Sequence, residues 1–212
     1  MTDLTFYTNP MSRGRIIRWM LEEVGASYDT VLLDYGPTMK TPDYLALNPM
    51  GKVPTLVHGD TVITECPAIC CYLADMFPDA GLAPAPGSAA RGTYYRWMFF
   101  AAGPLESAVV TKSFGFEVPD DPQAQGRAGW GSFDRVVGAL EGLLSDGRDH
   151  LLGQTFSALD VYLGSQIAWG QQFGTLPKRP IFAEYAERIF SRPAAVRARA
   201  LDDAAAQAGS PD

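Results

Sequence analysis

Apolar residues recur along this chain in two rhythms, and the change from one to the other divides it. Leu4-Thr5-Phe6-Tyr7 is a short run of apolar, aromatic and β-branched residues, which predicts a strand. Thr8-Asn9-Pro10-Met11-Ser12 has the chemistry of a loop. Arg13 to Val24 then carries Ile16, Ile17, Met20, Leu21 and Val24 on one helical face, with Gly25 as a stop. Tyr28 to Leu33 reads as a second strand, so the opening is β-α-β, with a parallel pair and a right-handed crossover. Gly36-Pro37 breaks the chain, and Pro42 to Leu47 allows one short helix. Val53 to Val57, the turn His58-Gly59-Asp60-Thr61, and Val62-Ile63 form a hairpin pattern. A helix then begins at Glu65-Cys66, with Pro67 in its first turn and Ile69, Leu73 and Phe77 four apart.

After residue 78 the grammar changes. Residues 79–88 are turn formers and small residues without periodicity, which marks a linker. Beyond it, Ala89 to about Val110, Gln123 to Leu144, Ala158 to Phe173, Ile181 to Phe190 and Ala194 to Ala206 all carry helical patterns. Ser157-Ala158-Leu159-Asp160 fits a capping box with aspartate in place of glutamate. A mixed α/β unit over 1–78 followed by an all-helical domain over 89–212 is therefore expected. The tail from Ala204 to Asp212 offers nothing to pack and is expected to fray.

Composition narrows the function classes. A net charge of -7 argues against nonspecific nucleic-acid binding, which needs a basic face. The three cysteines, Cys66, Cys70 and Cys71, fall in one predicted helix, a poor basis for a disulfide framework. Two scattered histidines, His58 and His150, suggest no metal site. No apolar run approaches the ~20 residues that cross a bilayer, and no basic segment precedes a long apolar run at the N-terminus. A chain without membrane span or signal peptide, in a reducing, cytoplasmic compartment, is expected.

Candidate chemistry concentrates between residues 48 and 69. Pro54 cannot donate to a sheet ladder, so it belongs at a strand start, where a cis Val53-Pro54 bond would turn the chain and expose the Val53 backbone. Beside it, a helix start at Glu65-Cys66 would present free N–H groups that attract a carboxylate. Together these can hold a small extended peptide by its main chain.

Asn48-Pro49-Met50-Gly51-Lys52-Val53-Pro54-Thr55-Leu56, followed by Glu65-Cys66-Pro67-Ala68-Ile69, resembles the glutathione-binding half of a cytosolic glutathione transferase. The resemblance implies a thioredoxin-like N-terminal domain and an all-helical C-terminal domain, glutathione as cosubstrate, no metal, a small hydrophobic electrophile as second substrate, and a homodimer. It implies that the backbone of Val53 pairs with the cysteinyl part of glutathione. Glu65 and its successor would hold the γ-glutamyl end. Cys66 stands where the family usually has serine, which costs a hydroxyl hydrogen bond but keeps the backbone N–H. Lys52 and, more weakly, Lys40 are candidates for the glycyl carboxylate. A glutathione-dependent disulfide reductase or peroxidase, or a noncatalytic binding protein on the same fold, are the alternatives.

A transferase has to stabilise the glutathione thiolate. Lowering a thiol pKa from its usual value of ~8.5 by ~2 units requires about 2.7 kcal/mol of selective stabilisation. The donor must lie where the first strand ends and the first helix begins. Thr8, Asn9 and Ser12 qualify there, with Ser12 or Thr8 as the hydroxyl donor and Asn9 among the glutathione-binding residues. The bland reading of Ser12 is a helix cap.

Overall fold

The computed structural model describes residues 3–208. These form two compact units, one comprising everything up to Leu82 plus everything from Ser191 onward, the other Ala83–Phe190. Among the described residues no helix is long and apolar enough to cross a membrane.

The first unit is built on a four-stranded sheet, in the order β2-β1-β3-β4. Its strands are β1 (Leu4–Thr8), β2 (Asp29–Leu32), β3 (Thr55–His58) and β4 (Thr61–Thr64). β1 pairs parallel with β2 and antiparallel with β3, and β3 pairs antiparallel with β4, so the β-α-β opening and the hairpin both form. Helix α1 (Gly14–Val24) buries Ile16, Ile17, Met20 and Leu21 and ends at Gly25 in the left-handed conformation, as the spacing predicts. The short α2 (Pro42–Leu47) starts at Thr41, whose hydroxyl accepts from the Tyr44 N–H. Helix α3 (Cys66–Met76) sets Ile69, Cys70 and Leu73 against the sheet-side core, with Leu4, Phe6 and Leu56 equally inaccessible to solvent. This is the thioredoxin-like arrangement.

The second unit is helical: α4 (Ala89–Phe100), π-helical turns over Ala101–Leu105, α5 (Glu106–Ser113), α6 (Pro122–Arg127), α7 (Phe133–Leu144), α8 (Ala158–Phe173) and α9 (Pro180–Phe190). Pro104 lies inside the π-helical turns; it has no N–H to donate, and the widened turn lets α4 continue into α5 without a break. In the aromatic run of α4, Tyr94, Trp97 and Met98 are buried, whereas Phe99 is 72% exposed.

Two expectations are corrected. Residues 123–144 are two helices rather than one. Gly129 and Gly131 (φ 71°) interrupt the pattern, and Ser132 restarts it by accepting from the Arg135 N–H. The second correction concerns the C-terminal tail. Helix α10 (Pro193–Ala208) runs through Ala204 to Ala208 instead of fraying at Ala204, and the rest of the expected tail lies outside the described residues. The boundaries at 78 and 88 follow the change of sequence grammar; packing regroups α10, which lies along α1 in the first unit.

Candidate active site

Register brings the predicted residues to one end of the sheet. Tyr7 faces Thr55 across the β1–β3 pair, and Thr55 faces Thr64 across the β3–β4 pair. The loop after Thr8, the approach to β3 through Val53-Pro54, and Glu65 after β4 therefore all lie at the same end of the sheet. Cys66 Sγ lies 3.8 Å from the Arg13 carbonyl oxygen, so the start of α3 meets the start of α1 there.

The 9–13 loop is tied at each carbonyl in turn. Asn9 O accepts from the Ser12 N–H at 3.0 Å and from Ser12 Oγ at 2.7 Å. Pro10 O accepts from Arg15 Nε at 2.5 Å, and Met11 O from Tyr35 OH at 3.3 Å. The Asn9 side chain is spent on the loop itself, donating through Nδ2 to Leu33 O and accepting at Oδ1 from the Met11 N–H. Ser12 is half-buried, and its Oγ also accepts from the Gly14 N–H at 2.9 Å; it lies one residue before the N-cap Arg13, and α1 has no side-chain cap hydrogen bond. Thr8 is fully buried behind this helix start. A Cβ on Gly14 would lie 1.9 Å from Thr8 Oγ1, so only glycine allows α1 to begin flush against β1.

The Val53-Pro54 bond is cis, as expected. The turn leading to it is held by Tyr44 and by Asn48, the first residue of the quoted motif, to neither of which the sequence assigned a role. Tyr44 OH donates to Lys52 O at 2.5 Å and pairs with Thr55 Oγ1 at 2.9 Å. Asn48 Nδ2 also donates to Lys52 O, and Asn48 Oδ1 accepts from the Met50 N–H. Burial pushes the Tyr44 hydroxyl above its ordinary pKa, with the bond to Thr55 opposing, so it stays a donor. Asparagine followed by proline is a turn signal that could have singled out Asn48; nothing local marks Tyr44. Lys40 Nζ donates to Met50 O and Gly51 O, and a Cβ on Gly51 (φ 57°) would meet that ammonium at 2.6 Å. The Lys52 side chain is exposed.

Glu65 is the one non-glycine residue with positive φ among the described residues, at φ 67° and ψ 118°. Such a conformation costs roughly 1–3 kcal/mol and tends to persist where a site needs it. It sets an exposed carboxylate at the N-terminus of α3, whose first turn leaves N–H groups for an incoming carboxylate. Cys66 is buried, with its thiol turned toward the Arg13 carbonyl at the start of α1. Cys70 is fully buried, and burial pushes its thiol well up, which makes it inert.

Residues 2–75 match the glutathione S-transferase N-terminal domain. A glutathione S-transferase of Hypomyces subiculosus is 30% identical over 193 residues, covering 84% of this chain and 88% of the relative. One from Xanthomonas campestris pv. campestris is 28% identical over 190 residues, 81% and 84% of the two chains. Among solved structures, the glutathione transferase of Methylococcus capsulatus superposes with a TM-score of 0.77 at 30% identity, over 94% of this chain and 98% of the other. A sphingomonad glutathione S-transferase complexed with glutathione does so with a TM-score of 0.75 at 31% identity, over the same shares. With relatives that match nearly end to end and a site assembled at one end of the sheet, this chain belongs to the glutathione S-transferase family.

Proposed function

We propose that the chain conjugates glutathione to small hydrophobic electrophiles, with Ser12 as the hydroxyl that stabilises the thiolate. The observation that carries this reading is the convergence of the Ser12 loop, the Val53 backbone and the Glu65–Cys66 helix start at one end of the sheet. An extended tripeptide lying across that end has its cysteinyl main chain at Val53 and its γ-glutamyl end at Glu65 and the α3 N-terminus. Lys52 is close enough in sequence to Val53 to serve the glycyl end. The cysteinyl thiol then points toward the loop after β1. Burial favours Ser12 over Thr8 there, because Thr8 is sealed beneath Gly14. Asn9 serves by shaping the loop.

The Ser12 proton rests on Asn9 O, a neutral acceptor. Turning it to a thiolate exchanges that bond for a charge-assisted one, which is stronger. The thiolate then attacks the electrophilic carbon, the new C–S bond forming as the leaving group departs or an activated double bond takes up the electron pair. Met11, 73% exposed and one residue before Ser12, offers apolar surface beside the thiol for such a substrate. Pairing into a homodimer is part of the same reading, checked by sedimentation.

The test measures the pH dependence of conjugation with one electrophile, together with retention on immobilised glutathione. Ser12→Ala should leave retention nearly intact, raise the pKa of the bound thiol, and lower kcat at neutral pH by roughly one to two powers of ten, the loss of a bond worth ~1.5–3 kcal/mol. Thr8→Val should do much less. Glu65→Ala should instead raise the KM for glutathione. A thiol pKa that rises in Thr8→Val but not in Ser12→Ala exchanges the two roles, and a chain not retained at all loses the proposal.

A further inference from the structure

The loop that carries Ser12 is anchored from a distant part of the chain. Asp202 of α10 is fully buried and accepts from Arg18 Nε of α1 at 2.6 Å, which fixes the register of one helix on the other. Its neighbour Asp203, half exposed, is thereby set beside Arg15, and the Arg15 Nη2–Asp203 Oδ1 distance is 2.8 Å. The same guanidinium donates through Nε to Pro10 O at 2.5 Å. Pro10 is two residues before Ser12, and Pro10 O is flanked by the carbonyls that Ser12 and Tyr35 hold. Of the Ser12, Arg15 and Tyr35 side chains that hold these three carbonyls, Arg15 is the one that also grips α10.

We propose that Arg15 is a positioning residue for the reaction, a two-pronged link through which Asp203 of α10 holds the Pro10 carbonyl and thereby the Ser12 hydroxyl in place. An arginine suits this role because its planar fork offers donors in fixed directions, one to a carboxylate and another to a carbonyl, whereas a lysine ammonium is a single point. The inference rests on the reading of Ser12 as thiolate partner. Its rival is that Arg15 acts only as a positive charge near the thiolate, or only holds two helices together.

Asp203 separates these. Were Arg15 merely a charge, removing the neighbouring carboxylate in Asp203→Asn would strengthen its field and lower the pKa of bound glutathione. If Arg15 is a strap, Asp203→Asn loosens it and raises that pKa, in the same direction as Arg15→Met. The experiment titrates the thiolate absorbance of glutathione bound to the full chain, for wild type, Arg15→Met, Arg15→Lys, Asp203→Asn, Ser12→Ala and Ser12→Ala/Arg15→Met. The expected result is a rise of roughly 0.5 to 1 unit in Arg15→Met, a smaller rise in Asp203→Asn, and a kcat below neutral pH lower by about three- to tenfold. Glutathione Kd should stay within about twofold and the unfolding midpoint should be little changed, since exposed ion pairs contribute little. Arg15→Lys, with charge but no fork, should behave like Arg15→Met. In the Ser12→Ala background Arg15→Met should add nothing further.

A lowered pKa in Asp203→Asn, or full rescue by Arg15→Lys, overturns the proposal in favour of a charge. A shift in Ser12→Ala with none in Arg15→Met overturns the strap and leaves Ser12 standing. A shift in Arg15→Met with none in Ser12→Ala overturns the Ser12 reading, and the link from Arg15 to it falls as well.

Discussion

Each unit buries one aspartate completely, and the two are kept there by opposite means. Asp160, at the start of α8, is hydrogen-bonded by backbone and hydroxyl donors, with His150 Nδ1 3.9 Å from Oδ1. The N–H of Leu151 donates to Oδ1 at 2.8 Å, as does Tyr185 OH at 2.8 Å, while the N–H and hydroxyl of Ser157 donate to Oδ2 at 2.9 and 3.0 Å. Asp202, in α10, has a full charge opposite it instead. Arg18 Nε donates to Oδ1, Oδ2 has no hydrogen-bond partner, and the guanidinium also reaches Tyr28 OH and Thr30 Oγ1 and sits over the Phe6 ring at 5.3 Å. Burial pushes both carboxyls above their ordinary pKa, against the pull of the donors in one case and of Arg18 in the other. What differs is whether the partners can be removed. Two of the Asp160 donors are backbone N–H groups that no substitution deletes, whereas both members of the Arg18–Asp202 pair are side chains.

The largest effect should follow from breaking the Asp160 network. Asp160→Ala strands two buried N–H groups and the Tyr185 hydroxyl, and should cost on the order of 4 kcal/mol in urea unfolding. Adding Tyr185→Phe should recover little, because the N–H groups of Leu151 and Ser157 remain unsatisfied. A double variant as stable as wild type would make the two aspartates equivalent after all.

The ion pair should behave otherwise. Asp202→Leu alone leaves Arg18 charged and buried and should cost about 3 kcal/mol, but Arg18→Met/Asp202→Leu should return to within ~1 kcal/mol of wild type, since a desolvated pair is readily replaced by packed apolar residues. A double variant no better than the single would mean that the pair is an irreplaceable part of the α1–α10 contact.

The smallest effect belongs to a pair whose carboxylate is exposed. Arg148 donates to both carboxylate oxygens of Asp146 and holds that carboxyl at about 2. A depressed carboxyl stabilises the fold above its unfolded value, and this contribution is lost as pH falls toward about 2. Asp146→Asn should thus flatten the acid limb of the stability curve slightly, leave neutral stability almost unchanged, and lose even this effect in high salt. An effect that survives molar salt would contradict a purely surface interaction.

The same contrast separates what could be read in the chain from what could not. Asp160 was legible because its partner Ser157 is three residues away and a capping box is a local pattern; the helix it starts runs over the expected Ala158–Phe173. The β-α-β opening, the hairpin, the cis proline turn and the helix start at Glu65 were legible for the same reason: each depends on periodicity, turn chemistry or a short motif within a short stretch of chain. Arg18 and Asp202 are 184 residues apart, and neither carries a local sign of the other. Read by itself, the alanine-rich end of the chain looks like surplus, and only its packing along α1 makes it part of the first unit. The different depths of Thr8 and Ser12 likewise had to wait for the fold. Both are hydroxyls in one loop, and composition assigns them equal chemistry. The close approach of α1 to β1 at Gly14 buries one and leaves the other within reach of solvent. Local chemistry settled what each residue is able to do, and tertiary packing set how deeply each one lies, because burial is a property of the neighbours that folding supplies.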